Sequence, residues 1–247
     1  MTLLLEFEAE GNWLFKRRGQ LPVVLFILAV PAVFLTNYHA INPLTARIFG
    51  LVGIALSVIG TLIRAYIIGT TPKGTSGRNT DEQIADQLNT TGIYSVVRHP
   101  LYLANFFMWI GIVVYTLNPW FVILVCLLFW IYYERIMIAE EQFLEKKFGQ
   151  AFLDWSNRTT AFLPRFSRFI ASKEKFSFKS VLRREYSGWL AAVAGFVYVD
   201  LLRRSFVKKE FQYSKTALIV LGATIVIALF LRILKYQTKL LYEEYRS

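Results

Sequence analysis

The sequence predicts an all-α, polytopic integral membrane protein with five or six transmembrane helices, and three observations point that way. Of its 247 residues 55% are hydrophobic, and mean hydropathy is positive, a balance unlike that of an ordinary soluble domain. The apolar residues fall into runs long enough, or nearly so, to cross a bilayer. The basic residues behind the formal charge of +11 cluster beside those runs, which suits anionic lipid headgroups better than nucleic acid.

Residues 1–20 end in Lys16, Arg17 and Arg18, a cluster that holds this end in the cytoplasm by the positive-inside rule. Glu6, Glu8 and Glu10 stand where a signal peptide carries positive charge, so this segment is expected to be retained. The first span runs from about Leu21 to Thr36, with Pro31 placed to kink it. The second runs from about Arg47 to Gly69, and Gly50, Gly53, Ala55, Ser57 and Gly60 let a neighbouring helix come close, Gly53 and Ser57 sharing a face. Arg64, near its inner end, reads as a side chain snorkelling to the headgroups, with a buried functional role as the alternative.

Residues 70–91 read as a polar cytoplasmic loop, helical from Asp81 and long enough to fold over a site. The third span, about Leu101 to Leu117, and the fourth, about Trp120 to Ile138, are separated only by Asn118 and Pro119, so they form a tight antiparallel hairpin. The hairpin returns Glu140 and Glu141 to the membrane face that holds His99. Beyond it, residues 140–188 interleave basic side chains with Phe152, Trp155, Phe162, Phe166, Phe169 and Phe176, as an interfacial segment does. Two apolar segments follow, about Gly188 to Leu202 and Thr216 to Leu234. Two full spans here would place Arg203, Arg204, Lys208 and Lys209 on the outer side, so the first, short segment reads either as re-entrant or interfacial, or as an ordinary span.

The chemistry concentrates in Thr90–Leu103, TTGIYSVVRHPLYL. Pro100 suits the first turn of a helix, which puts His99 near the N-cap and turns free N–H groups toward an incoming anion. Arg135, Glu140 and Glu141 follow the next apolar stretch; paired carboxylates there suit a cation or hydroxyls, and the arginine an anion. There is no glycine-rich dinucleotide turn and no HExxH, CxxC or GxSxG. His39 and His99 are too few for a histidine-rich metal centre, and Cys126, alone in an apolar run, reads as packing.

The pattern GxYxxxRHPxY, a hairpin of two spans, the double glutamate and an FGxxFxxW segment ending in Pro164 resembles the isoprenylcysteine carboxyl methyltransferase family and phospholipid methyltransferase-like membrane enzymes, over roughly Leu88 to Pro164. The resemblance implies methyl transfer from S-adenosylmethionine to a lipid or lipidated acceptor, in a pocket facing the cytoplasm. It implies that Tyr94, His99, Pro100, Leu101, Tyr102 and Glu140 line the cofactor site, that Gln87, Leu88 and Asn89 approach it through their main chain, and that Arg98 or His99 holds the cofactor's carboxylate. Arg135 would orient an anionic acceptor and Glu141 would support either partner, as the catalytic pair. The chain then divides into N-terminal spans and loop (1–89), a methyltransferase core (90–164) and a C-terminal part (165–247). Two departures stand out: Ala104 replaces the family's glycine two residues after the tyrosine, and Arg135 lies five residues before Glu140, farther than in the eukaryotic enzymes. An NADPH-dependent sterol-type reductase and a noncatalytic lipid-binding protein are the alternatives.

Overall fold

Proline and short polar side chains set the starts of the helices. In the computed structural model, which describes residues 2–72, 74–75 and 83–244, Pro43, Pro100 and Pro119 each open a helix, where a missing N–H costs nothing. Asn42 Oδ1 accepts from the Leu44 N–H at 2.8 Å and Asn118 Oδ1 from the Phe121 N–H at 2.9 Å. The helices so bounded are α1 (Leu3–Arg17), α2 (Leu21–Phe34), α3 (Pro43–Thr70), α4 (Pro100–Val114), α5 (Pro119–Phe148), α6 (Gln150–Ser156), α7 (Phe178–Lys208) and α8 (Lys215–Gln237). The only strand-like pairings among the described residues are two isolated β-bridges, so the fold is all-α as expected.

Among the described residues three helices, α3, α5 and α8, are long and apolar enough to cross a membrane, and the shorter α2 and α4 are apolar as well. α3 and α4 run antiparallel at close range. A Cβ on Gly53 would lie 2.5 Å from the Gly111 carbonyl oxygen, and one on Gly60 would lie 2.5 Å from that of Ala104. With lipid around the bundle, such backbone approach supplies the packing that water exclusion supplies in soluble proteins. α4 and α5 form the expected hairpin, their faces joined by Ile110, Val113, Phe121 and Val125. α5 continues well past Ile138 to Phe148, where Gly149, at φ +53°, breaks it.

Two parts of the N-terminal half depart from the sequence reading. Residues 1–20 contain an amphipathic helix, α1, which packs along the far half of α5. Gly11 leaves room for the backbone of Arg135, Glu8 pairs with Lys146 at 2.6 Å, and the Tyr132 hydroxyl donates to the Leu14 carbonyl at 3.1 Å. In the polar link, Asp81 lies outside the described residues, and residues 83–90 form no helix; the Asp86 N–H donates back to the Gly74 carbonyl at 3.1 Å, folding the link on itself.

The segment around residues 188–202 is not short. It is the middle of α7, one unbroken 31-residue helix packed against α2, α3, α4 and α8. The Arg203 Nη1 donates to the Tyr115 carbonyl at 2.8 Å and Arg204 pairs with Asp200 at 2.7 Å, both at the end of the bundle opposite His99.

Candidate functional site

The start of α4 is positioned by the chain that follows α5. Gly92, at φ +62°, turns the backbone into a single 3-10 turn, Ile93–Ser95, followed by fully buried Val96 and Val97. Phe152 and Trp155 of the FGxxFxxW segment are buried behind it, and Trp155 Nε1 donates to the Tyr94 carbonyl at 3.0 Å. The Arg98 N–H donates to Thr160 O at 2.8 Å and the His99 N–H to Ala161 O at 3.1 Å. The region 157–164 is therefore a backing for the RHP motif, whereas Phe166, Phe169 and Phe176 are exposed, as an interfacial segment requires.

His99 is the N-cap of α4 and is only 6% exposed. Its Nε2 lies 2.8 Å from Glu141 Oε1 and its Nδ1 3.4 Å from Glu140 Oε2. The Tyr102 hydroxyl donates to Glu140 Oε1 at 2.5 Å, one turn into the helix, with its ring stacked on that of His99. Arg98 grips Glu141 through Nε at 2.8 Å and Nη2 at 3.2 Å, while its Nη1 donates to the carbonyls of Ser156 and Thr159. Burial pulls the His99 pKa down, but hydrogen bonds to Glu140 and Glu141 and their charges outweigh it, so the net shift is upward. Burial also raises the Tyr94 pKa, with the Glu140 charge adding to it, which keeps that phenol a neutral donor.

Beside this cluster lies a cavity of about 480 Å³. Tyr94, Arg98, His99, Pro100, Leu101, Tyr102 and Glu140 line it, and so do Gln87, Leu88 and Asn89 from the link. Thus all ten residues expected around a cofactor surround one space. The two expected catalytic residues do not line it. Glu141 sits behind His99, bound by Arg98. Arg135 turns toward α1, where it pairs with Glu10 at 3.2 Å and Glu134 at 2.8 Å and stacks over Phe7 at 3.5 Å.

Other lining residues went unread in the sequence. Phe15 and Arg18 come from α1 and its end, Asn105 from α4, Tyr133 from α5 and Arg184 from α7. Arg64 does not snorkel: it is 15% exposed, lines the cavity and is bonded to Glu185 of α7 and to Asn105. An arginine within an apolar span was the available signal for it, since such a charge is costly and usually serves a site. Nothing in the local sequence marked Arg184. Among the described residues no group of three or more His, Cys, Asp or Glu side chains is placed to hold a metal ion.

Residues 47–151 match the family described as Phospholipid methyltransferase. Over 120 residues, 49% of this chain and 50% of the relative, the chain is 33% identical to the Nickel-cobalt-cadmium resistance protein NccN of Alcaligenes xylosoxydans xylosoxydans. It is 30% identical over 149 residues to the Cobalt-zinc-cadmium resistance protein CzcN of Cupriavidus metallidurans, covering 60% of this chain and 62% of that one. It is 26% identical over 114 residues to the Protein-S-isoprenylcysteine O-methyltransferase of Tribolium castaneum, covering 46% and 41% of the two chains. The chain spans between 41% and 62% of the length of these relatives. No solved structure matches. The resemblance carried by the RHPxY and double-glutamate motifs, to membrane methyltransferases of the isoprenylcysteine and phospholipid kinds, is borne out.

Proposed function

We propose that this chain, methyltransferase-like over residues 47–151, transfers a methyl group from S-adenosylmethionine to a lipid-like acceptor at the membrane interface. The carrying observation is that one cavity brings together Tyr94, His99, Tyr102 and Glu140 with the Gln87–Asn89 stretch. Its volume of about 480 Å³ falls within the range of small-molecule sites. The donor set also fits the cofactor: aromatic faces and a carboxylate favour a sulfonium, while arginines and the first N–H groups of α4 favour its carboxylate. In this reading the protein is a five- or six-span membrane protein whose cavity faces the cytoplasm. The acceptor is a prenylated cysteine carboxylate, a phospholipid amine or a lipid phosphate.

Bound there, S-adenosylmethionine would supply an electrophilic methyl group on a cationic sulfur. The chain's own task is orientation more than acid or base catalysis. Glu140, held by Tyr102 and His99, presents a fixed negative charge. Tyr94 stays a neutral phenol at the cavity wall. Arg98 and Glu141, locked to each other, hold His99 in place from behind, a positioning role for the residue expected to be catalytic. Methyl-labelled cofactor added to the protein in nanodiscs with a lipid extract tests the reading. Label should appear in lipid and fall about tenfold or more in Glu140→Gln, which removes a charge-assisted contact. Equal labelling by folded Glu140→Gln and parent would count against this assignment, and binding of NADPH instead would favour a reductase.

A further inference from the structure

The cavity contains a second, deeper polar group that the cofactor reading leaves unused. Arg64 of α3 donates from Nε to Glu185 Oε2 at 2.7 Å, from Nη2 to Glu185 Oε1 at 2.9 Å and from Nη1 to Asn105 Oδ1 at 2.6 Å. A guanidinium has more N–H donors than these bonds use, and the rest find no partner among the described residues. Glu185 is 1% exposed and belongs to α7, outside the residues 47–151 that match the methyltransferase family. A carboxylate buried this far is costly, and apolar residues fill such a position as stably, so packing alone does not account for the pair.

Position gives the group its meaning. Asn105 follows Tyr102 by one turn of α4, about 4.5 Å along the axis, and Tyr102 carries the hydroxyl that holds Glu140. Arg64 therefore lines the same cavity one turn farther into the bundle. A guanidinium fixed along one edge by a carboxylate offers its remaining donors in a set direction, which suits carboxylate or phosphate oxygens. An anionic oxygen acceptor also needs no base to remove a proton.

We infer that Arg64 binds the anionic headgroup, carboxylate or phosphate, of the lipid-like acceptor, and that Glu185 is a positioning residue which aims it. The inference rests on the methyl-transfer reading for the word acceptor, and it moves to Arg64 the role the sequence suggested for Arg135. It also gives α7 a share in substrate choice.

The test uses the full chain in nanodiscs of neutral lipid. Binding of S-farnesylcysteine against its methyl ester, and of phosphatidic acid against phosphatidylethanolamine, is read by intrinsic fluorescence. S-adenosylmethionine binding is read separately by calorimetry. Arg64→Gln and Glu185→Gln should each weaken the preferred anionic probe by about tenfold or more while cofactor affinity stays within about twofold. Whether farnesylcysteine or phosphatidic acid is preferred tells the carboxylate from the phosphate source. Because either single change unbalances a buried charge, the double variant Arg64→Gln/Glu185→Gln is the control. It should regain the parent's thermal stability without regaining anion affinity. Anion binding that returns with stability, or folded variants that bind the anionic probes like the parent, would overturn the inference, as would a preference for the ester or the amine lipid. Anion binding that depends on Arg64 in a protein unable to bind S-adenosylmethionine would uphold the anion site and sink the methyl-transfer reading instead.

Discussion

Glu140 and Glu141 flank His99 and favour its protonated form, and that has a pH consequence whose sign follows from the raised pKa. Below the ordinary histidine value of about 6.5 the ring is charged folded or unfolded, and the cluster contributes its full stability. As pH rises through the higher folded value, that contribution is lost. The stability gap between the parent and His99→Ala, followed by thermal unfolding across the pH range, should therefore narrow on the alkaline side; a gap that widens there would mean a neutral His99. Arg135 teaches the opposite lesson about reading single residues. Five residues along a helix are about 140° around it, so Arg135 and Glu140 face different neighbours, whereas Tyr133, seven residues before Glu140, shares its face and lines the cavity. Arg135→Ala should leave acceptor and cofactor binding unchanged and cost about 1 kcal/mol or less of stability, since its partner Glu10 is largely exposed and Glu134 partly so. Denaturation and binding on the same preparation check both halves. Ala104 bears on close packing too, for its carbonyl faces Gly60.

At the scale of elements, the small residues of α3 were legible because their spacing puts them on one face, and the structure uses that face against α4. Gly60→Ala would place a methyl 2.5 Å from Ala104 O and 2.6 Å from Met108 N, both backbone atoms that cannot swing aside. It should destabilise the protein by about 1–3 kcal/mol, measured as a fall in melting temperature in detergent or nanodiscs; an unchanged value would mean the two helices are not in this contact. The hairpin was legible from Asn118 and Pro119 alone. Helix ends were harder: AEEQFLEKK, residues 139–147, is polar enough to look like the end of a span yet is made of strong helix formers, so α5 runs on until Gly149. α1 was missed because a short amphipathic stretch beside a basic cluster gives no sign of the partner it docks on. Its partner face on α5 lies more than a hundred residues away in sequence.

For the whole molecule, the site is assembled from parts that the sequence kept separate. Arg64 comes from α3, Asn89 from the link after it, His99 and Glu140 from the motif region, and Arg184 from α7. Motif spacing could find the middle group, because its residues cap and face one helical hairpin. It could not find Arg64 and Arg184, whose places depend on how α3 and α7 pack. The apolar surface of three long helices and the membrane methyltransferase relatives agree on a membrane protein. The central claim is that the cavity at the start of α4 takes S-adenosylmethionine, and calorimetry on the protein in nanodiscs tests it most directly. S-adenosylmethionine and its demethylated product should bind at one site, NADPH should not, and His99→Ala should weaken both by about tenfold. Saturable binding of NADPH alone, or cofactor binding untouched in a folded His99→Ala, would contradict it.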